Sequence, residues 1–128
     1  NSNDVLITYS TFFENGSGLS RKTKVKPETI LSLLIAIKQH PSSDIIMHSL
    51  PISGVDGTLE NQYKTDLLRR RLKLKTGTLD GVSGLAGFIT GISGRDYAFV
   101  FLHNDIPDHP YKISSFREGL LSWVVNDI

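Results

Sequence analysis

The chain has 128 residues, of which 39% are hydrophobic and 21% charged, with a net charge of +1. That length suits one domain with a modest core, and a balance so near zero gives no bulk electrostatic case for nucleic acid or an anionic membrane. The absence of cysteine excludes disulfides and thiol chemistry, and apolar runs such as Leu33 to Ile37 are far too short to span a bilayer.

Val5-Leu6-Ile7 and Phe12-Phe13 read as a strand or as the tail of an element. No charged-then-apolar leader is visible. The stretch from Glu14 to Ser20 holds an Asn-Gly pair and two glycines, which predicts a tight loop. Pro27 then opens a helix where a missing N–H costs nothing, and Glu28 favours its positive end. Ile30, Leu33, Leu34 and Ile37 give that helix one apolar face. Pro41 stops it, and Ser42 or Ser43 can cap a second helix through about Met47. Leu50-Pro51-Ile52 is extended, Gly54 to Leu59 turns sharply, and residues 59–69 are expected to be partly helical.

The second half alternates with a period of two. Leu72 and Leu74 share one face of a strand, Lys73 and Lys75 the other. Strands are expected near 71–77, 84–93 and 96–103. Gly94-Arg95 reads as a two-residue type II′ hairpin loop with glycine first. Pro110 starts a last helix with a buried stripe of Ile113, Phe116, Leu120, Leu121, Val124 and Ile128. The fold class is α/β (α+β): a three-stranded antiparallel sheet, a C-terminal helix on one face, and a small helical N-terminal part. Residues 1–66 carry loop and helices, and residues 67–128 carry the strands and the last helix.

Two clusters read as bland surface. Arg69-Arg70-Arg71 with Lys73 and Lys75 is interleaved with leucines, which fits a solvated strand face rather than a nucleic-acid stripe. His103, His109 and Asp105 or Asp108 lie close in sequence, but their spacing fits a solvated loop better than zinc. No metal and no cofactor is expected.

Lys75-Thr76-Gly77-Thr78 carries the chemistry. A lysine supplies positive charge, hydroxyls donate to a carboxylate, and a glycine leaves room for a ligand against the backbone. The triplet alone is short, and a strand end followed by a turn would also produce it.

Three segments extend it: Glu14-Asn15-Gly16-Ser17-Gly18-Leu19-Ser20-Arg21, Ser49-Leu50-Pro51-Ile52-Ser53-Gly54-Val55-Asp56-Gly57-Thr58-Leu59, and Lys75-Thr76-Gly77-Thr78-Leu79-Asp80-Gly81-Val82-Ser83-Gly84-Leu85-Ala86-Gly87-Phe88. In order and spacing the chain resembles the C-terminal end of low-molecular-mass, class C penicillin-binding proteins. These are D-alanyl-D-alanine carboxypeptidases and endopeptidases with an inserted domain. The resemblance covers most of residues 12–104. Glu14 stands where that family usually has aspartate.

The family acylates a serine in an S-x-x-K motif and completes its proton relay with S-x-N. Neither motif occurs in this chain, and in the family both precede the Gly-Ser-Gly loop. The resemblance therefore implies a C-terminal segment of a β-lactamase/transpeptidase-like domain, inactive alone, whose partner is the N-terminal part of the same enzyme.

By the same resemblance, Lys75 faces the cleft and sustains the field around the serine. Thr76 and Thr78 bind the carboxylate of a D-Ala-D-Ala peptidoglycan stem or of a β-lactam, and the Thr78 N–H forms half of an oxyanion hole. Gly77 lets the ligand add as a strand. Ser17 and Arg21 lie near the peptide groove; a turn hydroxyl capping its own loop and a surface arginine are the alternatives.

The resemblance also implies a periplasmic or extracytoplasmic location. The family's sheet has five strands, two of them from the N-terminus. The strand at 97–103 would then show a bare edge with Phe99 and Phe101, and self-association is expected. A non-catalytic binding or structural module reusing this fold is the alternative reading.

Overall fold

The computed structural model describes residues 11–79, 81–104 and 110–128. The strand or element tail expected at Val5-Leu6-Ile7, and His109, Asp105 and Asp108, lie outside the described residues. In chain order the elements are α1 (Pro27–Gln39), α2 (Ser43–Ser49), a 3-10 turn (Gly57–Leu59), β1 (Leu72–Leu79), β2 (Val82–Thr90), β3 (Asp96–Asn104) and α3 (Pro110–Val125). The strands form one antiparallel sheet in the order β1-β2-β3.

The sheet alternates between two cores, as a strand's period of two requires. Leu72, Leu74, Leu85 and Ile89 point to one face and pack with Leu121, Val124 and Val125 of α3. Ala86, Phe88, Ala98 and Val100 point to the other, against Ile30 and Leu34 of α1 and Met47 of α2. Helices therefore cover both faces, with α1 and α2 opposite α3. Each buried leucine, isoleucine or valine contributes roughly 1.5–3 kcal/mol, so the seven named on the α3 side contribute substantially to the stability of the sheet.

Pro27 occupies the first turn of α1, and the helix ends before Pro41, as expected. Its buried face is narrower than expected: Thr29 and Leu34 are buried, whereas Leu33 is exposed. At 100° per residue Leu33 sits one step off the stripe that meets the sheet. Ser42 stands at the N-cap of α2 but makes no side-chain capping bond.

Residues 59–69 do not form a helix. Beyond the 3-10 turn they make isolated turns, with Leu68 and Arg69 N–H both bonded to the Thr65 carbonyl. The backbone turns left-handed at Tyr63 (φ 53°) and Arg70 (φ 65°), which breaks any helical ladder there. Burying Leu59, Tyr63 and Leu68 under α3 determines this path.

The β2–β3 loop is longer than two residues. Thr90 pairs with Asp96, Gly91 N–H bonds the Arg95 carbonyl (2.8 Å), and Gly94 N–H bonds the Gly91 carbonyl (3.0 Å). Gly94, with φ 84°, therefore takes the left-handed position after a turn rather than opening a II′ loop.

On α3, Leu121, Val124 and Val125 are buried, but Phe116 is 62% exposed, and Ile128, past the helix end, is 61% exposed. β3 is the last strand, so the α3 flank beyond it has no sheet to cover. The Phe116 ring lies 6.3 Å from the Phe101 ring, centroid to centroid.

Candidate functional site

The segment before β1 holds that strand in place. Ser53 is fully buried; its hydroxyl donates to the Leu68 carbonyl (2.6 Å) and accepts the Leu72 N–H (3.2 Å). Ser53 N–H bonds the Leu72 carbonyl, and Leu74 N–H bonds the Pro51 carbonyl. The turn after Ser53 is closed by Asp56, whose carboxylate accepts the Ile52 N–H (2.7 Å). Arg69 Nε and Arg71 Nη1 donate to the carbonyls of Gly54 and Gly91, so two of the clustered arginines act as backbone clamps.

These bonds fix which way the backbone of β1 points. The Leu72 carbonyl and Leu74 N–H face residues 51–53, away from β2. By alternation, the N–H and C=O groups of Thr76 and Thr78 face the same side. Residues 51–53 stop pairing at Leu74, so the edge at Thr76–Thr78 is open among the described residues. The Thr78 N–H is thus presented to whatever docks there.

Residues 12–24 form a loop closed at its base by the Phe12–Lys24 bridge, two bonds of 2.8 Å. Within it Glu14 accepts from the Ser20 hydroxyl and pairs with Lys22 (3.4 Å), while Ser20 Oγ accepts the N–H groups of Lys22 and Thr23. This loop lies against the end of β1. Between them is a cleft of about 520 Å³ lined by Ser17, Leu19, Lys75, Gly77, Thr78 and Leu102, among others.

The structure brings Lys75, Thr76, Gly77, Thr78 and Ser17 together in this cleft. Lys75 is exposed and its ammonium donates to the Thr76 carbonyl; among the described residues no carboxylate lies within ion-pair distance. Thr76 is half-buried and its hydroxyl donates to Thr58 Oγ1 (2.9 Å). Gly77 pairs with Gly84, and a methyl group on Gly77 would meet no atom within 4 Å. Its missing side chain therefore leaves free volume in the cleft. Ser17 lines the cleft while its hydroxyl donates to Asn15 Oδ1 (2.9 Å), as a loop-capping serine does.

Arg21 is placed apart. It lines an adjoining groove of about 460 Å³ with Lys24, Val82 and Asn104. Leu102 borders both spaces, so the groove continues the cleft along the sheet end.

Several supporting residues were assigned no role from the sequence: Thr58 under Thr76 and Gly84 opposite Gly77, both within the segments that carry the resemblance, and Arg117 of α3, whose Nη1 donates to Ser83 Oγ (2.8 Å). Only long-range pairing reveals them. Burial raises the Tyr63 phenol above its usual value, with Arg117 pulling the other way.

The profile of the D-Ala-D-Ala carboxypeptidase 3 (S13) family matches residues 4–123. The chain belongs to that family. Within S13, it is 40% identical over 119 residues to the D-alanyl-D-alanine carboxypeptidase DacB of Haemophilus influenzae, covering 91% of this chain and 25% of that protein. It is 34% identical over 102 residues to a D-alanyl-D-alanine carboxypeptidase of an Actinomadura species, covering 76% of this chain and 19% of the relative. The crystal structure of penicillin binding protein 4 from Haemophilus influenzae superposes with a TM-score of 0.84 at 32% identity, covering 91% of this chain and 28% of that one. The S13 chain described here thus spans a quarter or less of the curated relatives named. Among the described residues no helix is long and apolar enough to cross a membrane.

Proposed function

We propose that the chain is the C-terminal segment of a serine-type D-Ala-D-Ala carboxypeptidase domain, residues 1–66 supplying loop and helices and 67–128 the sheet and last helix. In this reading it forms the substrate-binding wall of an active site whose nucleophile lies elsewhere in the same enzyme. The observation that carries it is the open edge of β1, which presents the Thr78 N–H beside the Lys75 ammonium in one cleft.

The chemistry follows from that edge. A D-Ala-D-Ala stem peptide lies along Thr76–Thr78 as an added strand, and Gly77 leaves it room. Its terminal carboxylate accepts from the Thr78 hydroxyl and from the Thr76 hydroxyl, which turns its proton from Thr58 to the ligand, and is drawn by Lys75. The serine oxygen bonds to the scissile carbonyl carbon, and the negative charge on the carbonyl oxygen is met by the Thr78 N–H. The C–N bond then breaks, the serine's proton passes to the leaving nitrogen, and D-alanine departs. A β-lactam follows the same path but stays attached after ring opening. A related structure of the Haemophilus protein holds a β-lactam, which supports that ligand class.

Ser17 contributes to the cleft wall, and Arg21 in the adjoining groove attracts an acidic group on the stem peptide. The substrate places the enzyme outside the cytoplasm. Unpaired, the outer edge of β3 drives self-association of the chain through edge pairing or segment exchange.

Labelling with a fluorescent penicillin tests the reading. The full-length protein carrying these residues should retain the label covalently, and the 128-residue chain alone should not. A stoichiometric adduct on the isolated chain, or none on the full-length protein, contradicts the proposal; the latter favours a non-catalytic module.

A further inference from the structure

The α3 side of the sheet carries a cation that the fold does not need. Arg117 is half-buried, and among the described residues no carboxylate lies within ion-pair distance of it. Its Nη1 is held by Ser83 Oγ at 2.8 Å, while its Nε is buried and finds no acceptor. A partly buried cation without a counter-charge is costly to maintain, and a hydrophobic residue would pack α3 on the sheet at lower cost.

Its position gives it a use. Ser83 is buried and is the cross-strand partner of Thr78. Thr78 belongs to the outward-facing set of β1, so the two form a non-hydrogen-bonded pair, whose side chains are the closer kind. Thr78 continues the face of Leu72 and Leu74, the face covered by α3. The guanidinium therefore lies on the same face of the sheet as the Thr78 side chain and is bonded to its cross-strand partner, Ser83. Thr78 itself is exposed to the cleft.

We propose that Arg117 is a positioning residue for the carboxylate end of the cleft. Through Ser83 it fixes the Thr78 side chain from behind and adds a permanent positive charge to the subsite that receives the substrate's carboxylate. This deepens the function proposed above and rests on it. Lys75 supplies charge on the open side and Arg117 on the buried side, so a carboxylate at Thr78 sits between two cations. A positive charge in this position, partly screened by the cleft water, accounts for about a tenfold preference for an anionic ligand.

The test compares benzylpenicillin with its methyl ester on the full-length protein, following acylation rates by intact mass. Replacing Arg117 by glutamine should slow acylation by the acid about tenfold and leave the ester nearly unchanged. Arg117→Lys should restore much of the rate with the acid, because it keeps the charge. Equal losses on acid and ester would make Arg117 merely structural, and no loss on either would leave it idle; both overturn the proposal. If Arg117→Gln does not fold, Ser83→Ala, which frees the guanidinium, must show the same bias toward the acid, and an unbiased loss overturns the proposal. Failure of the unaltered protein to be acylated by either compound would instead sink the parent reading, and this one with it.

Discussion

Replacing Gly87 by alanine should damage the sheet directly behind the cleft. Gly87 is the cross-strand partner of Leu74, one residue before Lys75. A Cβ there would stand 2.2 Å from the Lys73 carbonyl oxygen and 3.0 Å from Leu74 Cα, both backbone atoms of β1. A comfortable carbon–oxygen approach is about 3.3 Å, so β1 must retreat by about 1 Å or β2 must twist. The φ of 154° adds strain for any residue with a side chain. Overpacking of this kind costs about 1–3 kcal/mol, and the backbone conformation adds about 1 kcal/mol, the low end for a strained residue with a side chain. A total near 3 kcal/mol should lower the Tm by about 12 °C in a chain of this size. Thermal unfolding by circular dichroism measures it. A loss below about 0.5 kcal/mol, the range of ordinary surface changes, would refute the tight β1–β2 approach.

Further outcomes follow from the same contacts. Ser53→Ala removes the acceptor for the Leu72 N–H and one of two donors to the Leu68 carbonyl, which keeps the Arg71 N–H; leaving the buried Leu72 N–H unpaired should cost about 1–3 kcal/mol, read as a lower urea midpoint, and an unchanged midpoint would contradict it. Asp96 is held below its usual carboxylate value chiefly by the hydrogen bond from Lys38, and Asp127 chiefly by the Ser93 N–H. The unfolded chain therefore takes up these protons first on acidification, so their stabilisation is complete above the usual value of 3.8 and lost as pH falls below it. Asp96→Asn should accordingly lower the Tm at pH 7 and narrow its gap to the parent chain by pH 3; a gap that widens in acid would reverse the sign. Lys75→Ala in the full-length protein should slow penicillin acylation by about 10²–10³ without moving the Tm by more than a few degrees, and a rate within twofold of the original would remove Lys75 from the site.

Local chemistry made much of the fold legible. Pro27 and Pro41 bracket α1, and the alternation of Leu72 and Leu74 with Lys73 and Lys75 anticipates the two faces of β1. The errors arise where tertiary contacts overrule local preference. Residues 59–69 have helical composition, yet burying Leu59, Tyr63 and Leu68 requires left-handed turns at Tyr63 and Arg70. Phe116 fits the α3 stripe by spacing but lies beyond the last strand. The cleft was legible as a motif, since Lys75, Gly77, Thr78 and Ser17 do converge. The contacts that support it were not: Thr58 bonds Thr76 from 18 residues away, Ser83 pairs with Thr78 across a strand, and Arg117 reaches Ser83 from a helix.

A crystal structure of the penicillin-acylated full-length protein tests the central claim most directly. The account predicts the acyl carbonyl oxygen at about 2.7–3.1 Å from the Thr78 nitrogen, with the carboxylate against the Thr76 and Thr78 hydroxyls and within reach of Lys75. An adduct whose carbonyl and carboxylate both lie away from the open edge of β1 would contradict it.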